Sequence, residues 1–169
     1  MHVGFVMNPI AGMGGRVGLK GTDGKVAEAV ERGATPRAPD RARRALDRLA
    51  SVAPETRVST ASDPMGERLV REAGFDPVRV VDPFEGDAPE PTETSADHTA
   101  RVVRAFAGLE RETGPGTDTA DEDAGDAPVD LVVFVGGDGT ATDVATALEG
   151  TDVPMLGVPA GVKVYSSVF

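Results

Sequence analysis

The chain has 169 residues, 40% of them hydrophobic, and no cysteine; this suits one α/β domain burying roughly two-thirds of its unfolded surface, and it excludes disulfide frameworks, thiolate metal sites and cysteine nucleophiles. Lys+Arg 17 against Asp+Glu 28 gives a net charge of -11, a field that repels phosphate backbones and anionic bilayers, so neither nucleic acid nor membrane is an expected partner. The longest apolar run, Leu131 to Val135, falls far short of the roughly 18 residues of a spanning helix, and no basic-then-apolar leader opens the chain, so a cytoplasmic location is expected.

Short β-like runs alternate with amphipathic stretches, which predicts a Rossmann-like α/β fold: an open, mostly parallel sheet with helices on both faces. His2 to Met7 is the first strand. Asn8 to Gly24 carries too many glycines for either regular element and reads as a long loop. Lys25 to Arg32 reads as a helix stopped by Gly33. Asp40 is expected to cap a helix through about Ala50, with Ala42, Ala45, Leu46 and Leu49 at helical spacing. Arg57 to Thr60 is the second strand.

Asp63 and Pro64 read as an N-cap and first helical residue, leading through Leu69 and Val70 to a stop at Gly74. Val78 to Val81 is the third strand. Asp82 to Glu93, acidic and proline-rich, is a surface loop, and Thr94 with Asp97 forms a capping-box-like start to a helix bearing Val102, Val103, Phe106 and Leu109. Gly114 to Pro128 has nothing to bury and reads as a solvated connection. Val129 to Val135 is apolar enough for a central parallel strand. Thr140 opens the next helix, through about Leu148, and Val153 to Val158 is the fifth strand. The ending from Val162 to Phe169 is apolar, as if made to pack on a segment further along, so the chain reads as truncated.

Three loops carry the chemistry. Gly136, Gly137, Asp138, Gly139 and Thr140 lie where a strand of a parallel sheet gives way to a helix, the edge on which ligands sit in such sheets. Paired glycines let the backbone approach a phosphate closely, and the helix start turns free amides and a positive dipole end toward it. Asp138 adds negative charge there, which suits a magnesium-linked ligand or an acceptor for a hydroxyl proton, and phosphoryl transfer needs both. Thr140 can cap the helix or donate its hydroxyl. By itself the motif also fits a plain strand-to-helix turn.

The second loop runs Asn8, Pro9, Ile10, Ala11, Gly12, Met13, Gly14, Gly15, Arg16. It matches neither the Rossmann nor the P-loop spacing, and reads either as a backbone-amide nest flanked by Arg16 and Lys20 or as a flexible loop. The third loop holds Pro159, Ala160, Gly161, Val162 and Lys163, whose lysine offers a point charge. All three follow strand ends on one side of the predicted sheet. His2 and His98 do not make a zinc site, and no Gly-x-Ser-x-Gly elbow is present.

Together these segments, Asn8-Pro9 with its glycine loop, GGDGT at 136–140 and PAGVK at 159–163, resemble the ATP-NAD kinase family, in particular its archaeal and acetoin-catabolism kinase-like branch. The resemblance covers the N-terminal α/β domain and implies a β-rich C-terminal domain beyond it. It implies transfer of the γ-phosphoryl group of ATP, with Mg2+, to the 2′-hydroxyl of NAD. Asp138 takes the place of the catalytic acid, and Asn8, Gly12, Gly14, Gly15, Gly136, Gly137, Gly139, Thr140, Gly161 and Lys163 those of nucleotide- and phosphate-binding positions. ATP and NAD are the implied partners, with a homo-oligomer expected at full length. Thr142 departs from the arginine found in many relatives. A lipid kinase sharing GGDGT, or a nucleotide-binding regulator without turnover, are the alternative readings.

With only Lys20, Lys25 and Lys163 as lysines among its cations, the chain also resembles proteins adapted to high salt, where screening removes self-repulsion. A GC-rich genome gives the same balance.

Overall fold

The computed structural model describes residues 1–13, 34–109 and 127–160. Its elements run β1 (His2–Met7), α1 (Ala38–Val52), β2 (Arg57–Ala61), α2 (Glu67–Glu72), β3 (Arg79–Val81), a short 3₁₀ turn at Pro91–Glu93, α3 (Ala96–Phe106), β4 (Leu131–Gly136), α4 (Asp138–Ala147) and β5 (Met155–Pro159). The five strands form one sheet in the order β3-β2-β1-β4-β5, and every pairing is parallel. The chain thus steps outward from β1 to β3, crosses back, and resumes on the other side of β1. That reversal leaves a crevice beyond the carboxyl ends of β1 and β4, the place where doubly wound sheets take ligands.

Strand periodicity sends alternate residues to opposite faces. Phe5, Val58 and Val135 pack with Ala38, Ala42 and Leu46 of α1 and Leu69 and Val70 of α2. On the other face Val6, Val132 and Phe134 pack with Val102, Val103 and Phe106 of α3 and Val144 of α4. Both faces are therefore covered, which is why β1 reads as buried at every position. Each buried valine, leucine or phenylalanine contributes about 1.5–3 kcal/mol of transfer free energy.

Helix starts depart from the sequence expectation in four places. Asp40 is not a cap: α1 begins at Ala38 after Arg37, with Pro39 in its first turn, and Asp40 sits inside that turn, where its charge complements the dipole. Nor do Asp63 and Pro64 open α2. The Asp63-Pro64 bond is cis, Met65 N–H closes a turn on Ser62 at 2.9 Å, and the Met65 carbonyl accepts from Met7 N–H at 2.9 Å. With Met65 buried against the tip of β1, α2 starts only at Glu67, yet Asp63 Oδ1 still reaches its first turn and accepts from Arg68 N–H at 3.3 Å. For α3 the capping box is Ser95 with His98, one residue beyond Thr94 and Asp97. In α4 the first helical residue is Asp138 and the N-cap is Gly137, so Thr140 is already inside the helix.

The strand boundaries agree with the sequence to within a residue or two. The expected Lys25 to Arg32 helix, the apolar ending and nearly all of the Gly114 to Pro128 connection lie outside the described residues. No helix among the described residues is long and apolar enough to cross a membrane.

Candidate functional site

The turn after β1, the turn after β4 and the end of β5 meet at the switch point. Asn8 joins the first two. Its backbone N–H donates to the Val135 carbonyl at 2.9 Å, its Oδ1 accepts from Ile10 N–H at 3.2 Å, and its Nδ2 donates to Thr140 Oγ1 at 3.2 Å. The β5 end is held by Ala160 N–H donating to the Gly136 carbonyl at 2.8 Å.

Glycine is required at two of these contacts. Gly12 has a φ of +86°, in the region that side chains disfavour, and a Cβ there would collide with the Ala160 carbonyl. Gly136 is buried, and a Cβ on it would run into the Thr140 side chain. These close approaches draw the first and third loops together and seat α4 directly on the end of β4.

On this seat Gly137 is half-buried while Asp138 and Gly139 are exposed. Asp138 is thus a solvent-facing carboxylate in the first turn of a ten-residue helix. The amides at that start lack intrahelical acceptors and carry the positive end of the dipole. Those backbone donors and Asp138 share the exposed start of α4. Thr142 Oγ1 donates back to the Asp138 carbonyl at 3.1 Å, which spends the hydroxyl at the position where arginine was the family expectation.

Of the residues singled out by sequence, the structure brings together Asn8, Gly12, Gly136, Gly137, Asp138, Gly139 and Thr140. Thr140 is not the helix cap; it is 5% exposed and bonded to Asn8. Gly14, Gly15, Gly161 and Lys163 lie outside the described residues. Sequence reasoning missed Arg37. Its backbone N–H donates to the Ala11 carbonyl at 3.3 Å, and its Cβ lies 3.3 Å from the position a Gly12 Cβ would take, so the residue packs against the first loop. Its only sequence cue is a place just ahead of a helix, which does not single out one arginine in a chain where arginine is the usual cation.

Among the described residues no group of three or more His, Cys, Asp or Glu could hold a metal ion. A comparison with curated proteins finds no match. The family model for the ATP-NAD kinase N-terminal domain matches residues 3–169. With that match spanning the sheet and all three turns, the chain belongs to the ATP-NAD kinase N-terminal domain family.

Proposed function

We propose that this domain binds ATP along the switch-point crevice and supplies the acidic group of an NAD kinase. The γ-phosphoryl group passes to the 2′-hydroxyl of the adenosine ribose of NAD. The bond from the γ-phosphorus to the bridging oxygen of ADP breaks, a bond to the 2′-oxygen forms, and the hydroxyl proton goes to the Asp138 carboxylate. The products are ADP and NADP. Catalysis of this kind rests on positioning and on neutralising charge rather than on covalent chemistry.

One observation carries the reading. In a chain of this family, the exposed Asp138 stands at the start of α4, on the turn that the first-strand and fifth-strand loops both grip. Magnesium would come in on the ATP phosphates, keep several of its waters and neutralise phosphate charge, leaving the Asp138 carboxylate to take the proton. Gly14, Gly15, Gly161, Lys163 and Arg37 belong to the same proposal as phosphate-side groups. So does a following β-rich domain that completes the NAD site, without which residues 1–169 turn over poorly.

The experiment is an NADP-coupled assay with ATP and NAD on the full-length protein and on residues 1–169, with a diacylglycerol or long-chain base as competing acceptor. NADP formation by the full-length protein that is lost in Asp138→Asn supports the reading. Phosphorylation of the lipid in preference to NAD overturns the acceptor, and calorimetric ATP binding with no turnover on any acceptor overturns the enzyme. Full-rate turnover by residues 1–169 overturns the two-domain part.

A further inference from the structure

We propose that Asn8 and Thr140 form a positioning pair that fixes the Asp138 turn. The proposal rests on the reading of this crevice as the nucleotide site. Ile10 N–H can only donate, so the Asn8 atom facing it must be the amide oxygen. That orients the amide nitrogen onto Thr140 Oγ1, 132 positions away in sequence. Each end of the Asn8 amide is then engaged by protein, which fixes its orientation. Thr140, in turn, is buried at 5% exposure and packed on the Gly136 backbone, where no Cβ could fit between them.

The pair therefore ties the third residue of α4 to the first residue after β1. Asp138 lies two residues before Thr140 and next to the N-cap Gly137. Without the bond, α4 keeps its apolar anchors Ala141, Val144 and Ala147 but loses the polar tie that sets where its first turn stands relative to the Asn8 loop. A small displacement there acts on reaction geometry more than on substrate affinity, because the binding amides move with the loop while the in-line arrangement is lost. Asparagine suits this place because it donates and accepts at once; aspartate would bring a second carboxylate to the phosphates.

The test uses the full-length protein with Asn8→Ala, Thr140→Val, the double variant and Thr140→Ser. Each disruptive single variant is expected to lower kcat about 10–100-fold while the ATP dissociation constant moves less than about threefold. The double variant is expected to be no worse than the poorer single, since both remove one bond. Thr140→Ser, which keeps the acceptor oxygen, should recover most of kcat. ATP affinity falling about tenfold with kcat preserved, or losses that multiply in the double variant, would overturn the pairing. Should wild type bind ATP yet make no NADP, the acceptor reading fails on its own, and the pair is decided by amide hydrogen exchange over residues 136–141. Faster exchange in both single variants supports it, and unchanged exchange overturns it. If wild type does not bind ATP, both readings fail.

Discussion

At the amino-terminal edge of the sheet, His2 Nε2 and Ser59 Oγ share a 2.8 Å hydrogen bond, His2 N–H donates to Asp130 Oδ2 at 2.7 Å, and Arg79 Nη1 donates to the Ala105 carbonyl at 3.0 Å. At the carboxyl-terminal edge, Asn8 and Thr140 are bonded in the same cross-element fashion, yet Asp138 and Gly139 beside them stay exposed. The first edge closes upon itself: His2 and Ser59 are 7% and 1% exposed. The second spends its buried side chains on holding a turn whose Asp138 and Gly139 are exposed. A buried polar bond that ends in protein stabilises; one that presents an exposed group arranges chemistry. The two edges should therefore respond in opposite ways to substitution.

The widest separation is expected at Asp138. Asp138→Asn should lower kcat by about 10²–10⁴-fold, the usual contribution of a positioned general base, while thermal unfolding stays close to wild type because the side chain is exposed. Coupled assay and calorimetry on the same preparation check this. Loss of both together would make the carboxyl-terminal edge structural after all. Next comes Gly136→Ala, whose new methyl group must displace the Thr140 side chain. Overpacking of this kind is expected to cost about 2–3 kcal/mol, read from urea unfolding, and to lower kcat with it. The adjacent Gly137→Ala is the control. A Cβ there meets nothing within 4 Å, so stability should stay within about 0.5 kcal/mol while ATP binding weakens from crowding of the phosphate approach.

How much of this contrast can be read without coordinates follows from where each signal resides. The strands are legible because a parallel sheet buried on both faces demands near-continuous apolar runs, as at Val3, Phe5 and Val6 or from Leu131 to Val135. Helix starts are less so. Asp63 does accept from the first turn of α2, but the helix starts later than Asp63 and Pro64 suggest because Met65 is buried against β1, and that gain is tertiary. Gly136, Gly137 and Asp138 stand out because the phosphate turn proposed for them would compress its requirements into five consecutive residues. The Asn8 to Thr140 bond and the approach of Arg37 to Gly12 are invisible by comparison, since they join residues whose proximity is created by the β1–β4 pairing and by the entry of α1. Spacing along a chain carries no trace of either.

Ser59→Ala probes the other edge. It leaves His2 Nε2 buried without its partner, at an expected cost of about 1–2 kcal/mol, seen as a lower urea midpoint with kcat per folded molecule unchanged. A fall in kcat would mean that the amino-terminal edge is coupled to the crevice through β1.

The smallest effect is a slope with pH. His2 is held below its ordinary value of 6.5, chiefly by burial and then by the Arg57 guanidinium. Asp130 pulls the other way, and the N-terminal ammonium and Arg79 add to the lowering. Between the folded value and 6.5 the unfolded chain binds the proton more readily than the folded one, so stability rises with pH across that window. It is fully present above 6.5 and declines as pH falls toward the folded value, below which it levels off. Urea midpoints measured from pH 5 to pH 8 should show this extra slope in wild type, and His2→Gln, which cannot titrate, should lack it. Carboxylate titration is common to both proteins and cancels in their difference. A difference curve that is flat, or that rises as the solution becomes more acidic, would show that His2 is not kept neutral by its surroundings. The amino-terminal edge would then be no more closed than the crevice at the opposite end of the strands.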